Sequence, residues 1–87
     1  YPINNAFIDN LEGNYFSVYP NPFNSEFIVT SGQKISRIEI YALDGKLTYT
    51  KNIKETQCAI APTLNSGSYF LKIVTENNTI TTKIIKL

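Results

Sequence analysis

The sequence contains no histidine, tryptophan or methionine and only one cysteine, Cys58. Without histidine the chain has neither the commonest general base nor the commonest metal ligand, and no side chain that ordinarily changes charge near neutral pH. A single cysteine excludes an internal disulfide and a thiolate zinc site, and leaves the redox compartment open. Charge is also sparse: eight basic and seven acidic residues leave a formal net charge of +1. That balance gives no electrostatic reason to expect a nucleic-acid or membrane-surface partner. No apolar run approaches the roughly 20 residues of a membrane-spanning helix. The missing initiator methionine points to a piece of a longer protein. What remains is 87 residues, 43% of them hydrophobic, enough for one small folded core.

Residues 1–14, YPINNAFIDNLEGN, differ from the rest. They are rich in asparagine, show no sustained period of 2 or 3.6, and lack the basic and long apolar regions of a signal peptide. Ile3, Phe7, Ile8 and Leu11 are too apolar for a plain flexible spacer. The segment reads as a connector, partly docked on the body that follows.

From Phe16 onward, β-branched and aromatic residues dominate, cut at short intervals by turn residues. Seven strands are expected: Phe16–Tyr19, Glu26–Thr30, Ser36–Ala42, Leu47–Asn52, Gln57–Ala61, Ser68–Thr75 and Thr79–Lys86. Ser31-Gly32, Asp44-Gly45 and Asn77-Asn78 are read as breaks between them. A two-residue type I′ turn at Asp44-Gly45 sets Ala42 opposite Leu47, Ile40 opposite Tyr49 and Ile38 opposite Lys51. That register gathers Ile38, Ile40, Ala42, Leu47 and Tyr49 on one face. For the last hairpin, a three-residue loop Asn77–Thr79 is preferred, because a two-residue Asn77-Asn78 loop would place Lys72 opposite Lys83. Leu71 then faces Ile85, which is expected in the core. Leu64-x-x-Gly67-x-Tyr69 has the form of a tyrosine corner, in which the hydroxyl bonds a backbone group a few residues upstream. The fold class is all-β, a seven-stranded immunoglobulin-like antiparallel sandwich without the usual disulfide or tryptophan.

Catalytic constellations are weak. Asp9, Glu12, Glu26, Glu39, Asp44, Glu55 and Glu76 are scattered, and read as solvated carboxylates. Cys58 lacks a histidine partner and reads as a half-buried small hydrophobe. Asp9-x-x-Glu12-Gly13-Asn14 lacks the alternating ligand spacing of a calcium loop. Asn77-Asn78-Thr79 matches a glycosylation acceptor, but suits a turn better. Tyr19, Tyr41 and Phe70 are candidate surface aromatics, the only hint of a sugar-binding face.

Three pieces in order carry a stronger signal. Phe16-Ser17-Val18-Tyr19-Pro20-Asn21-Pro22-Phe23 ends a strand in Tyr-Pro-Asn-Pro. Ile38-Glu39-Ile40-Tyr41-Ala42-Leu43 runs into Asp44-Gly45-Lys46. Leu64-Asn65-Ser66-Gly67-Ser68-Tyr69-Phe70-Leu71-Lys72-Ile73 precedes a terminal Lys83-Ile84-Ile85-Lys86-Leu87. In order and spacing these resemble the type A C-terminal sorting domain of the type IX secretion system of Bacteroidetes, over residues 16–87. One departure is the Ala42-Leu43 pair, where an acidic-apolar pair is common in that family.

The resemblance divides the chain into a connector, 1–14, and a sorting domain, 15–87. It implies a non-catalytic signal, without cofactor or metal, that directs a passenger from the periplasm across the outer membrane to the surface or medium. The implied partners are the secretion machinery at the outer membrane and a sortase-like protease that removes the domain within the connector. The implied motif residues are Pro20, Asn21, Pro22, Asp44, Gly45, Lys46, Leu64, Gly67, Tyr69, Lys83, Ile84, Ile85 and Lys86. The rival reading is an accessory carbohydrate- or protein-binding module of a secreted enzyme. On residues alone, the last strand is an edge carrying Lys83 and Lys86, to which a receptor can add a strand.

Overall fold

The computed structural model describes residues 6–9 and 15–87. They form six strands: β1 Ala6–Asp9, β2 Tyr15–Tyr19, β3 Phe27–Ala42, β4 Leu47–Ile60, β5 Gly67–Thr75 and β6 Thr79–Lys86. All pairings between strands are antiparallel and belong to one sheet, ordered β1-β2-β3-β5-β6, with β4 on the other side of β3. The all-β expectation holds, and no helix occurs among the described residues.

The count of seven strands is corrected. Glu26–Thr30 and Ser36–Ala42 belong to the single strand β3, and Leu47–Asn52 and Gln57–Ala61 to β4. Ser31-Gly32 opens a bulge in place of a turn. Thr30 pairs with Gln57 and Ile35 with Glu55, so Ser31, Gly32, Gln33 and Lys34 all lie opposite Thr56. Inside the bulge the Gln33 amide donates to the Ser31 hydroxyl at 2.9 Å, a local bond that lets the backbone change direction without leaving the sheet.

This bend is a geometric necessity. Sixteen straight residues would span about 50 Å at roughly 3.3 Å each, whereas the longest dimension of the molecule is 35 Å. The bulge therefore divides the sheet into two halves. Before it, β3 lies between β2 and the end of β4; after it, between β5 and the start of β4.

Both halves supply one core. Phe16, Val18, Phe27, Val29 and Ile60 come from the first, Ile38, Ile40, Leu71, Ile73 and Ile84 from the second, and all are essentially inaccessible. The core is thus shared by the two halves of one continuous sheet, where two separately paired sheets were expected. Ile53, which falls between the expected strands Leu47–Asn52 and Gln57–Ala61, lies in β4 and is buried in this cluster.

Two turns differ from expectation. At Asp44-Gly45 the Gly45 amide donates to the Ala42 carbonyl at 2.9 Å, and the Ala42 amide donates to the Lys46 carbonyl at 2.8 Å. The loop is therefore Leu43-Asp44-Gly45, a tight turn followed by Gly45 at φ 93°. A register shift between Ile40 and Tyr41 absorbs the extra residue, so Ile40 still faces Tyr49 and Ile38 still faces Lys51. Leu47 now faces Tyr41 in place of Ala42, and is 46% exposed.

At the last hairpin, Lys72 faces Thr81 and Leu71 faces Thr82. The loop is Glu76-Asn77, closed by Thr75. Its amide donates to the Asn78 carbonyl at 2.8 Å, and its hydroxyl accepts from the Asn78 amide at 3.0 Å. This register differs from the preferred one by an odd number of residues, which exchanges the faces of the strand. Ile84 is fully buried and Ile85 is 37% exposed, reversing the expectation for Ile85. Lys83 faces Phe70, so no lysine pair arises.

Candidate functional site

The motif residues, scattered from position 20 to position 86, collect at one end of the sheet. Ala42, two residues before Asp44, pairs with Tyr69, which pairs with Ile84. On the next rung Tyr41, Phe70 and Lys83 are aligned. Gly67 pairs with Lys86, and Lys86 in turn bridges to Phe23. From one side to the other, this end therefore presents the Asp44-Gly45-Lys46 turn, the start of β5, the end of β6 and the Pro20–Phe23 segment.

The junction between the last two is a clasp. The Asn21 side-chain amide donates from Nδ2 to the Lys83 carbonyl at 2.9 Å, while its Oδ1 accepts the Ile85 amide at 3.0 Å. A single carboxamide thereby does what a neighbouring strand would do, satisfying one acceptor and one donor on the same edge. Two residues on, the Phe23 amide donates to the Ile85 carbonyl and the Leu87 amide to the Phe23 carbonyl, both at 2.9 Å. The peptide bonds before Pro20 and Pro22 are both cis. Phe23 anchors the segment: its ring is buried and meets Phe27 edge-on, with centroids 4.8 Å apart. Hence the outer edge of β6 from Lys83 to Leu87, expected to be open, is largely closed by the chain itself.

The tyrosine corner is present. The Tyr69 hydroxyl donates to the Asn65 carbonyl at 2.8 Å, four residues upstream, as β5 begins. The ring is half-buried and packs on the core together with Leu64. Gly67 carries a φ of 147°. At the other turn Asp44 accepts the Lys46 amide through Oδ1 at 2.9 Å, an Asx-type brace across the hairpin.

On the outer face, Glu39 accepts from Arg37 Nε and from the Tyr41 hydroxyl, each at 2.7 Å, and Lys72 Nζ stands 3.9 Å away. The bonds from Arg37 and then Tyr41 hold the Glu39 carboxyl below its usual range, while the same carboxylate raises the Tyr41 phenol. Tyr41 is thus tied into a charged cluster. Tyr19 and Phe70 remain exposed. Burial pushes the Cys58 thiol up, away from the thiolate form, and its side chain packs against the core. A small depression lined by Lys34, Ile35, Ser36, Ile53, Lys54 and Glu76 lies away from the motifs, toward the β5–β6 turn. Beyond Asp9, the calcium-like Asp9–Asn14 stretch falls outside the described residues.

Sequence reasoning did not single out Phe23 or the Asn65 carbonyl. Phe23 is legible in retrospect as the aromatic directly after Pro-Asn-Pro. Asn65 was unmarked because its role is played by the backbone.

The family model for the secretion system C-terminal sorting domain matches residues 17–87. No curated protein matches the sequence. Among solved structures, the chain is similar to PorZ, an essential bacterial surface component of the type-IX secretion system of Porphyromonas gingivalis. The TM-score is 0.63 at 13% identity, and the match covers 92% of this chain and 16% of that one. At that identity the likeness is one of fold, and this chain spans only a small part of PorZ. Together with the motifs gathered at one end of the sheet, the family match shows that this chain belongs to the secretion system C-terminal sorting domains.

Proposed function

We propose that the chain is a non-catalytic type IX secretion signal whose readable element is the end of the sheet built by the Pro20-Asn21-Pro22 clasp and the terminal strand. The observation that carries this reading is the pair of bonds from Asn21 to Lys83 and Ile85. They join the first and last pieces of the family pattern, more than sixty residues apart, into one rigid surface. Lys83 and Lys86 supply its positive charge, and the Asp44-Gly45-Lys46 turn and Tyr69 corner hold the neighbouring strands in place.

In this reading the passenger travels through the periplasm and across the outer membrane to the cell surface or medium. The connector, 1–14, is the site of removal by a sortase-like protease. The folded-over sheet acts as an immunoglobulin-like body whose long strands serve both layers.

The test fuses residues 1–87 to a periplasm-directed reporter in a host with the type IX system, and measures reporter in the medium and on the surface. Export of the fusion but not of the reporter alone is expected. Retention of a folded fusion in the periplasm overturns the proposal.

A further inference from the structure

The clasp divides the outer edge of β6 into two unlike parts. Closure of the hairpin by Thr75 and Asn78, followed by an unbroken β5–β6 register, sets which groups point where. Ile80, Thr82, Ile84 and Lys86 turn their amides and carbonyls toward β5, whereas Thr79, Thr81, Lys83 and Ile85 turn theirs outward. The Lys83 carbonyl, both Ile85 groups and the Leu87 amide are taken by Asn21 and Phe23. Among the described residues, nothing takes the amide and carbonyl of Thr79, those of Thr81, or the amide of Lys83.

Exposed sheet edges are ordinarily blunted by charge, proline or bulges. The outer edge of β4 follows that rule, with Lys51, Lys54 and Glu55 along it and three register shifts against β3. Thr79-Ile80-Thr81-Thr82 does not. It has no charge, no proline and no irregularity in its pairing.

We propose that this open edge, Thr79 to Lys83, receives an extended segment of a polypeptide of the secretion machinery as an added strand. The proposal rests on the reading of the domain as a secretion signal. The clasp serves it by sealing the neighbouring stretch, so that an incoming strand has one register and one end point.

The side chains specify the partner further. Thr79, Thr81 and Lys83 lie on the outer face, and no carboxylate among the described residues pairs with Lys83. Ile80 faces the core but is only partly buried. The fitting segment alternates apolar residues, which cover Ile80, with polar ones, and carries an acidic residue near Lys83.

Two measurements test this. In the isolated domain, amide hydrogen exchange should be fast at Thr79, Thr81 and Lys83 and slow at Ile85 and Leu87. Protection of Thr81 equal to that of Ile85 overturns the proposal. In the reporter fusion, Thr81→Pro removes an outward amide without removing a β5–β6 bond. Provided the variant melts cooperatively, its export should fall at least tenfold. If it does not fold, Thr79→Pro, at the first position of the strand, is judged by the same criterion. Export of the folded variant within twofold of wild type overturns the open edge alone. Failure of the wild-type fusion overturns the secretion reading, and this inference with it.

Discussion

Asn21→Ala tests the clasp directly. The substitution removes two hydrogen bonds, at 2.9 and 3.0 Å, that tie Lys83 and Ile85 to the segment after β2. A net contribution of about 0.5–1.5 kcal/mol per bond, taken toward the low end because the site is exposed, gives about 1–2 kcal/mol in all. For a domain of this size each kcal/mol is worth roughly 4–8 °C in Tm. A loss of about 4–16 °C in a thermal melt followed by circular dichroism is therefore expected, with faster amide exchange at Ile85. Asn21→Asp sharpens the test. It keeps the acceptor for the Ile85 amide but turns a charged oxygen toward the Lys83 carbonyl. Losing the donor to that carbonyl and setting two oxygens against each other should lower the Tm below that of the wild type at neutral pH. An Asn21→Ala Tm within 1 °C of wild type, with unchanged Ile85 exchange, would refute the clasp as a structural element.

Four further outcomes follow from the same geometry. Tyr69→Phe removes the bond to the Asn65 carbonyl and should cost about 1 kcal/mol, read as a Tm lower by several degrees. Ile84→Ala should cost about 2–5 kcal/mol and Ile85→Ala well under 1 kcal/mol in denaturant melts, since only Ile84 is fully buried; equal losses would contradict the β5–β6 register. Gly45→Ala meets no atom within 4 Å, so its cost of about 1–2 kcal/mol is purely that of a side chain at φ 93°. Glu39 has a lowered pKa, so its contribution is full above its unfolded value and is lost as pH falls through the folded one. The Tm difference between wild type and Glu39→Gln should therefore shrink on acidification below about pH 4.

Much of the motif-bearing end of the sheet can be read from residues close together in the chain. Asp44 and Gly45 mark the hairpin because an aspartate brace and a left-handed glycine are local requirements of a tight turn. Tyr69 reaches Asn65 across four residues, so its corner is a short-range pattern. Alternation marks Ile38 and Ile40 as buried whatever lies beyond them. Other features depend on groups that meet only after folding. Ser31-Gly32 looks like a turn because small residues suit turns and bulges alike; the pairing of both flanks with β4 makes it a bulge. The faces of Ile84 and Ile85 turn on an odd, three-residue difference of register, which Thr75 decides by bonding Asn78, with its hydroxyl also 3.2 Å from Gln33 on β3. Asn21, by sequence one asparagine between two prolines, becomes the cap of the terminal strand because the fold carries residues 83 and 85 to its side chain. Short-range sterics and alternation thus determined the all-β class, the place of the Asp44-Gly45 hairpin and the tyrosine corner. Only tertiary structure decided the bend, the last register and the clasp, because each rests on backbone bonds between segments far apart in the chain.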